Sequence, residues 1–439
     1  MSTVVVIMLL IVVALFMIFA NSNSPSSSTN VKQLWRFETV GSPESQPIFQ
    51  NGYLYVNSYF DQSEEGGIYC INATTGSLVW DKVWNTTGNY DRPFSPQLFD
   101  NSVYFLTEEG YFYCLNSSTG KQIWNFSSEN AIKRPIIIQG ILFASVEDNF
   151  NAFNASNGQK IWGITIAGLS YGQTADNGSI YAVQQKDETH TNSTLYFLNT
   201  LNGGIRWNYS IPEYIGTIKS STNRSLVTSY SMDYINGKPI FRSNIYVLNS
   251  ATGDKLWNFT TDIYQSNTPN PGLAVSDSRI YMGVGNKTYA LDSLSGITVW
   301  SRTLEDTYYS YLAFNSYLYV STNSLKTNGN SSLICLNPES GDIKWNVQLD
   351  NRLSSFPIVD SRQIIIGSSS DRYFSETDHH VYSFDPLTGK KIWSTIVAGN
   401  PYYPTVEKGI IYVGAAFSTS ESPDFEGNGS IYALEPLKE

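Results

Sequence analysis

Hydrophobic and polar residues alternate along this chain in short runs, a pattern typical of β-strands. Upstream of Trp80, strand-like runs occur at 46–49, 53–58 and 67–72, and a fourth run contains Trp80 itself. The pair Asn51-Gly52 is a turn signal between the first two runs. This segment therefore predicts four antiparallel strands joined in sequence by short connections.

The same organisation recurs along the chain with a recognisable motif. A small residue, an Asn or Asp, a Gly and a Trp follow one another, as in Cys70-Ile-Asn72-Ala-Thr-Thr-Gly76-Ser-Leu-Val-Trp80. Further copies end on Trp124, Trp162, Trp207, Trp257, Trp300, Trp345 and Trp393. Successive Trp residues are 38 to 50 positions apart, an interval that indicates a repeat architecture.

Four strands per repeat predict an all-β propeller of four-stranded antiparallel blades. Nine third strands can be counted, and eight blades are the alternative because the inner strands between Trp207 and Trp257 are weak. The last copy begins at Ala433-Leu-Glu435 without its Gly and Trp, whereas Trp35 has no preceding strands. We expect the N- and C-terminal strands to pair and close the ring, which removes an open edge. Each Trp, including Trp35, is expected to pack against the next repeat.

The motif resembles the tryptophan-docking repeat of the PQQ-like (quinoprotein) propeller family, Ala-x-Asp-x-x-x-Gly-x-x-x-Trp, over nearly all of residues 33–439. Family members include quinoprotein alcohol dehydrogenases, outer-membrane assembly scaffolds and surface proteins. The resemblance implies, for a dehydrogenase, a calcium ion, a carboxylate base, a tryptophan floor and often a disulfide between adjacent cysteines. Here no two cysteines are adjacent, and only Trp84 lies outside the motifs. We therefore expect a non-enzymatic scaffold or binding module without PQQ; a PQQ-dependent dehydrogenase with calcium is the alternative.

Residues 4–20 are apolar and uncharged, which indicates either a signal peptide or a retained N-terminal membrane anchor (domain boundary 1–20). A Ser/Asn-rich linker follows at 21–32. Under both interpretations the propeller is exported, and it is either secreted or held at the extracellular face of the membrane. The expected partners are other cell-surface or membrane proteins, and the membrane itself if residues 4–20 are uncleaved.

The net charge argues against nucleic-acid binding, and the placement of the cysteines argues against disulfide bonds. The net charge of −11 and a pI near 4.9 argue against nucleic-acid binding, which needs a basic face. Cys70, Cys114 and Cys335 occupy the same small-residue position of different repeats. Equivalent positions in different repeats are too far apart for a disulfide, so buried free thiols are predicted.

One stretch has the spacing of a calcium-binding loop. Asp424, Glu426 and Asn428 would be the first three ligands, with Gly429 at the sixth place and Glu435 at the twelfth. The alternative is purely structural, because residues 430–434 read as a strand and Glu435 takes the position that Asn72 fills in another repeat.

Long second connections in four neighbouring repeats predict an acidic binding face. Its candidate residues are Asp61, Glu64, Glu65, Asp371, Glu376, Asp378, His379 and Glu421, together with Asp424 and Glu426. A metal site at His379 and His380 is the less simple interpretation, and a solvated loop is the simpler one. Tolerated insertions remain the alternative to partner binding, and a carboxylate-based sugar- or peptide-processing enzyme is a third functional hypothesis.

Thirteen Asn-x-Ser/Thr sequons occur, about twice the number that composition predicts. Three of them, at Asn72, Asn116 and Asn154, coincide with turn residues of the repeat. The glycosylation candidates are Asn85, Asn125, Asn177, Asn192, Asn208, Asn223, Asn258, Asn286 and Asn330.

Overall fold

A computed structural model gives the architecture. It describes residues 30–43, 45–60, 65–85, 95–106, 110–127, 132–146, 148–167, 169–174, 179–185, 191–221, 223–236, 238–262, 264, 271–304, 307–324, 331–349, 351–359, 362–369, 379–416 and 429–437. No helix that could span a bilayer occurs in these ranges. The predicted anchor at residues 4–20 lies outside them.

The strands of the described ranges follow the four-strand repeat. Strand β1 (Val31–Thr39) comes first. Repeats one to three contain β2 (Ile48–Gln50), β3 (Tyr53–Phe60), β4 (Glu65–Asn72) and β5 (Leu78–Asn85); β6 (Gln97–Phe99), β7 (Ser102–Leu106), β8 (Tyr111–Asn116) and β9 (Gln122–Ser127); and β10 (Ile132–Ile138), β11 (Ile141–Val146), β12 (Asn149–Asn154) and β13 (Lys160–Thr165).

Repeats four to six contain β14 (Leu169–Thr174), β15 (Ser179–Gln185), β16 (Thr191–Asn199) and β17 (Ile205–Ser221); β18 (Arg224–Ile235), β19 (Lys238–Asn249) and β20 (Lys255–Thr260); and β21 (Gly272–Val275), β22 (Arg279–Val284), β23 (Lys287–Asp292) and β24 (Thr298–Thr303). Repeats seven to nine contain β25 (Thr307–Asn315), β26 (Tyr317–Ser324), β27 (Ser331–Leu336) and β28 (Ile343–Leu349); β29 (Arg352–Leu353), β30 (Ile358–Val359), β31 (Ile364–Ser369), β32 (His380–Phe384) and β33 (Lys391–Ile396); and β34 (Asn400–Glu407), β35 (Ile410–Ala416) and β36 (Gly429–Pro436). The first strand of repeat eight is split into β29 and β30, and repeats five and nine are completed by β17 and β1.

The strands described form eight hydrogen-bonded antiparallel sheets, so the propeller has eight blades when blades are counted as sheets. Seven sheets hold one repeat each, and the seven-stranded sheet β14–β20 holds two. Strand β17 is shared, because residues 205–213 pair with β16 and residues 214–221 pair with β18. The predicted propeller of four-stranded antiparallel blades is therefore confirmed, and its blade count is the alternative of eight rather than nine, because the nine sequence repeats are distributed over eight sheets.

The ring is closed by its two terminal strands, as predicted. Strand β1 pairs antiparallel with β36 and becomes the fourth strand of repeat nine, in the order β34-β35-β36-β1. At the end of this ladder the Leu437 N–H donates to the Asn30 carbonyl at 2.8 Å. Pairing of the ends gives β36 a partner on each side and makes β1 the outer strand of this sheet.

Hydrophobic side chains pack between neighbouring repeats rather than within one sheet. In one such cluster Tyr55 and Ile68 of repeat one contact Val103 and Phe105 of repeat two. Cys70, Cys114 and Cys335 are buried free thiols in these layers, as predicted, and act as small hydrophobic residues. Each repeat is therefore stabilised mainly by its two neighbours.

The two faces of the ring differ in their connections. First and third connections are tight turns such as those at Gly52 and Gly76, and we call this side the turn face. Second connections and the passages between repeats lie on the opposite side, the loop face. First strands of neighbouring repeats contact one another, for example β10 with β14, and line the centre of the ring. Fourth strands such as β9 expose alternate residues at the outer rim.

Candidate functional site

Eight of the nine docking tryptophans bond to the following repeat at its third connection. The indole N–H donates to a turn carbonyl at 2.8–3.3 Å in eight of the junctions described. The turn glycine lies against the ring: a Cβ built on Gly253 would be 2.7 Å from Trp207, and its φ of +77° also disfavours a side chain. The motif therefore encodes contacts between repeats and supplies no group for chemistry.

A tyrosine on the second strand reinforces five of these junctions, a role that the sequence interpretation missed. Its hydroxyl donates to the same carbonyl that accepts the indole N–H; Tyr55 and Trp80, for example, share the Ser117 carbonyl at 3.2 and 2.8 Å. The other tyrosines are Tyr104, Tyr281, Tyr319 and Tyr412. Their recurrence at the middle of the second strand was the available sequence signal.

The closing junction departs from this pattern. Trp393 is fully buried, yet its Nε1 has no hydrogen-bond partner in the part of the chain that the structure describes. Ile365 stands at this position on the second strand of the same repeat, where six other repeats carry a tyrosine and five of those tyrosines bond to the shared carbonyl. The third connection that Trp393 should meet is replaced by the meeting of the chain ends, Asn30 and Leu437. Packing remains at this junction, but the polar contact is lost.

Most residues of the predicted acidic face and calcium loop lie outside the described residues: Asp61, Glu64, Asp371, Glu376, Asp378, Glu421, Asp424, Glu426 and Asn428. Glu65 begins β4 and pairs with Phe60. Glu435, the predicted twelfth calcium ligand, lies in β36 opposite Lys32. This position agrees with the alternative interpretation, in which Glu435 is part of a strand. In the described ranges no three His, Cys, Asp or Glu side chains are grouped to hold a metal ion.

His379 is buried, so the interpretation of this residue as part of a solvated loop is wrong. It is 7 % exposed, and its Nδ1 lies 3.2 Å from the Ser369 hydroxyl, which in turn donates to the Asn400 side chain. Its carbonyl accepts from the Val397 N–H at 3.0 Å. His379 therefore supports Ser369, whose hydroxyl makes the bond from repeat eight to Asn400 of repeat nine, while His380 beside it is partly exposed.

Six glycosylation candidates are exposed: Asn125, Asn192, Asn208, Asn223, Asn258 and Asn286. Asn85 lies in β5, whereas Asn177 and Asn330 lie outside the described residues. The turn sequons have the structural role predicted for them. The Asn72 side chain, for instance, accepts the N–H groups of Thr74 and Thr75, both at 3.0 Å.

The most prominent exposed feature is the hairpin of β18 and β19 on the loop face. The two strands stay paired out to Ile235 and Lys238 around a turn at Asn236, whose φ is +52°. Near the tip Met232, Tyr234 and Ile235 are 39 %, 60 % and 52 % exposed. The sequence showed a long connection here but assigned the binding face to other repeats.

Aromatic rings hold the base of this hairpin. Tyr230 contacts Tyr214 at 5.0 Å and Phe241 at 6.3 Å, and Phe241 contacts Tyr264 at 6.1 Å. Burial raises the pKa of Tyr264 to about 12, so its hydroxyl is neutral and is hydrogen-bonded with that of Ser243. The hairpin thus projects from a fixed aromatic base.

The described residues do not fit a quinone site. All nine docking tryptophans lie at junctions between repeats, and Trp84 belongs to β5, the fourth strand of its repeat. The cysteines belong to three different repeats. No tryptophan floor or adjacent-cysteine pair is therefore available from these side chains at the centre of the ring.

Comparison with known families gives the classification. The PQQ_2 family model, described as outer membrane protein assembly factor BamB, matches residues 27–140, 64–242, 241–402 and 312–436. The chain belongs to this family. Taken together, the residues matched by the PQQ_2 model run from the first strand of the propeller to the last. No protein among the curated ones shows a significant match.

Solved structures resemble this PQQ_2 propeller at low sequence identity. A computationally designed Ika8 protein is 12 % identical with a TM-score of 0.54, covering 91 % of this chain and 99 % of that one. A europium-containing methanol dehydrogenase is 12 % identical with a TM-score of 0.56, covering 94 % and 95 %. BamB from Moraxella catarrhalis is 14 % identical with a TM-score of 0.47, covering 77 % and 95 %. At such identities the likeness shows the fold alone.

Proposed function

We propose that this PQQ_2 propeller is an exported, non-enzymatic scaffold that binds another protein through the hairpin β18–β19. The observation that carries the proposal is the exposed apolar tip of that hairpin, on a base fixed by aromatic contacts. The family description, an assembly factor, supports a binding role rather than a catalytic one. Exposed apolar residues grouped on a rigid element commonly mark protein-binding sites.

The hairpin also offers an open strand edge. Strand β17 pairs with β18 only as far as Tyr230, so residues 231–235 pair with β19 alone among the described residues. Phe241, which lies opposite Met232, directs its own N–H and carbonyl outward to Tyr264. In an antiparallel pair, the N–H and C=O groups of two directly opposite residues point either toward each other or both away from the pair. The N–H and C=O of Met232 therefore point away from β19, toward the open edge. We propose that an extended segment of the partner adds a strand at this edge.

The position of the N-terminus suits such a role. Strand β1 is the fourth strand of repeat nine, and fourth strands begin at the turn face. Residue 30 therefore lies on the side opposite the hairpin tip. A linker of about 10 flexible residues spans roughly 17 Å, so an anchor at residues 4–20 would hold the turn face toward the membrane. The loop face, with its hairpin, would remain available to partners at the extracellular side.

The test is capture of membrane proteins by the tethered propeller with variants of the hairpin edge. Met232→Pro removes the outward N–H without breaking a bond to β19, and Tyr234→Ser removes the largest exposed ring. We expect both to lose a partner that the unchanged protein retains. Leu294→Ser, at a residue 71 % exposed on the turn face, is the matched control. Equal capture by all four proteins would refute binding through the hairpin.

Export predicts glycosylation if the host attaches N-glycans. Mass spectrometry should then find glycans at exposed outer-rim sites such as Asn125, Asn208 and Asn258, which each follow a docking tryptophan. An unmodified chain purified from such a host would contradict this part of the proposal.

A further inference from the structure

An aromatic pair lies on the innermost strands of repeats eight and nine. Phe356 and Tyr403 stack with their ring centroids 5.7 Å apart and their planes at 24°. Phe356 is 51 % exposed although the residues on both sides, Ser355 and Pro357, are buried. Because innermost strands line the centre of the ring, the exposed part of the Phe356 side chain borders the central channel, and Tyr403 stacks beside it.

Both rings sit at irregularities of their strands. Phe356 lies between the short strands β29 and β30, and Tyr403 lies where the register of β34 with β35 shifts between Tyr402 and Thr405. Tyr403 has a φ of +30°, although it is a bulky residue that precedes a proline. Bulky residues rarely adopt this region, and the residue before proline is normally extended. Strain of this kind tends to persist where a function requires it.

Hydrogen bonds between repeats hold the pair in place. The Ser354 hydroxyl donates to the Pro401 carbonyl at 2.9 Å and links repeats eight and nine. The Thr405 hydroxyl donates to the Pro47 carbonyl at 2.8 Å and links repeats nine and one. The Gln46 side chain, also exposed before a buried proline, donates to the Pro404 carbonyl at 3.4 Å. The rings and the Gln46 amide are thus positioned before any ligand binds.

We propose that Phe356 and Tyr403, with the Gln46 amide beside them, form a binding site for one sugar ring of a neutral glycan. The electronegative face of an aromatic ring attracts the electropositive C–H groups on one face of a pyranose. The Gln46 amide supplies a donor and an acceptor for sugar hydroxyls. The net charge of −11 disfavours anionic ligands at this site.

The site is independent of the hairpin, which belongs to repeat five. The test uses an immobilised panel of neutral glucose, mannose, galactose and N-acetylglucosamine oligosaccharides, followed by titration calorimetry with any oligosaccharide that is retained. We expect at least one to bind and Phe356→Ala to weaken its binding at least tenfold. Gln46→Ala should weaken binding several-fold. Tyr234→Ala, which removes an exposed ring from the hairpin instead, should leave binding unchanged.

Tyr403→Gly separates a binding role from a packing role. Glycine adopts a φ of +30° without strain, which offsets part of the lost stacking and of the added chain entropy, so we expect only a small change in melting temperature while glycan binding is lost. Retained glycan binding in Tyr403→Gly would show that Tyr403 serves packing alone and would overturn the inference. The same conclusion follows if no neutral oligosaccharide binds, or if Phe356→Ala binds as the unchanged protein does.

Discussion

Substitution of Trp393 by Phe should cost much less stability than the same change at Trp207. Both indoles are buried at junctions between repeats, being 0 % and 7 % exposed. The Trp207 N–H donates to the Ser250 carbonyl at 2.9 Å, whereas the Trp393 N–H has no partner in the described residues. Both substitutions remove the same ring volume, so the packing loss largely cancels in the comparison and the polar difference remains.

The magnitude follows from the fate of each N–H group. Trp207→Phe loses one hydrogen bond, worth about 1 kcal/mol net, and leaves a carbonyl without that donor. Trp393→Phe removes a buried, unpaired donor. In the unchanged protein this donor lowers the free energy of unfolding by about 1–3 kcal/mol. The free energy of unfolding of Trp207→Phe should therefore be lower than that of Trp393→Phe by about 2–4 kcal/mol.

Urea unfolding followed by far-ultraviolet circular dichroism measures this difference, because the signal does not depend on the tryptophan that was removed. The slopes of the two transitions should agree, so that the midpoints report stability directly. Trp162→Phe provides a second control, since its N–H donates to the Thr200 carbonyl at 2.9 Å. An equal or larger loss for Trp393→Phe than for both controls would refute the reasoning.

Three further outcomes are expected. Gly253→Ala should lower the melting temperature more than Gly52→Ala, because both have positive φ but only a Cβ at Gly253 would meet an indole, at 2.7 Å. Burial raises the pKa of Tyr55 to about 12, so its contribution to stability should be lost as pH rises from about 10 to 12 in alkaline unfolding. Burial likewise raises the pKa of Cys70 and Cys335 to about 11, so Ellman's reagent should react with them only after denaturation.

The fold was predictable because each copy of the motif specifies a tight turn and the tryptophan that contacts the turn of the next repeat. Asn72, Gly76 and Trp80 together specify a turn, a left-handed residue and a ring for the next repeat. The sharing of β17 was not predictable, since hydrophobic alternation does not show where a continuous strand changes partner. The unpaired indole of Trp393 was not predictable either, because it depends on what the chain ends place opposite the ring.

The candidate sites were harder to predict for a related reason. A strand with one buried face exposes alternate residues, yet Tyr234 and Ile235 are both exposed because the hairpin projects beyond its neighbours. Phe356 and Tyr403 lie at breaks in their strands, where side-chain alternation no longer indicates which way a residue points. Their common position before a proline was visible in the sequence, but only the ring geometry gives it meaning.

Closure of the ring by β1 and β36 constrains the order in which the protein can fold during its synthesis. Strand β1 bonds to residues that are synthesised much later; the Arg36 side chain, for example, donates to the Ser430 hydroxyl, 394 positions away. Joining ends so distant costs on the order of 5 kcal/mol of chain entropy, which only the complete ladder and its packing can offset. During synthesis β1 must therefore stay unpaired until β36 has been made, and pairing of these two strands completes the ring.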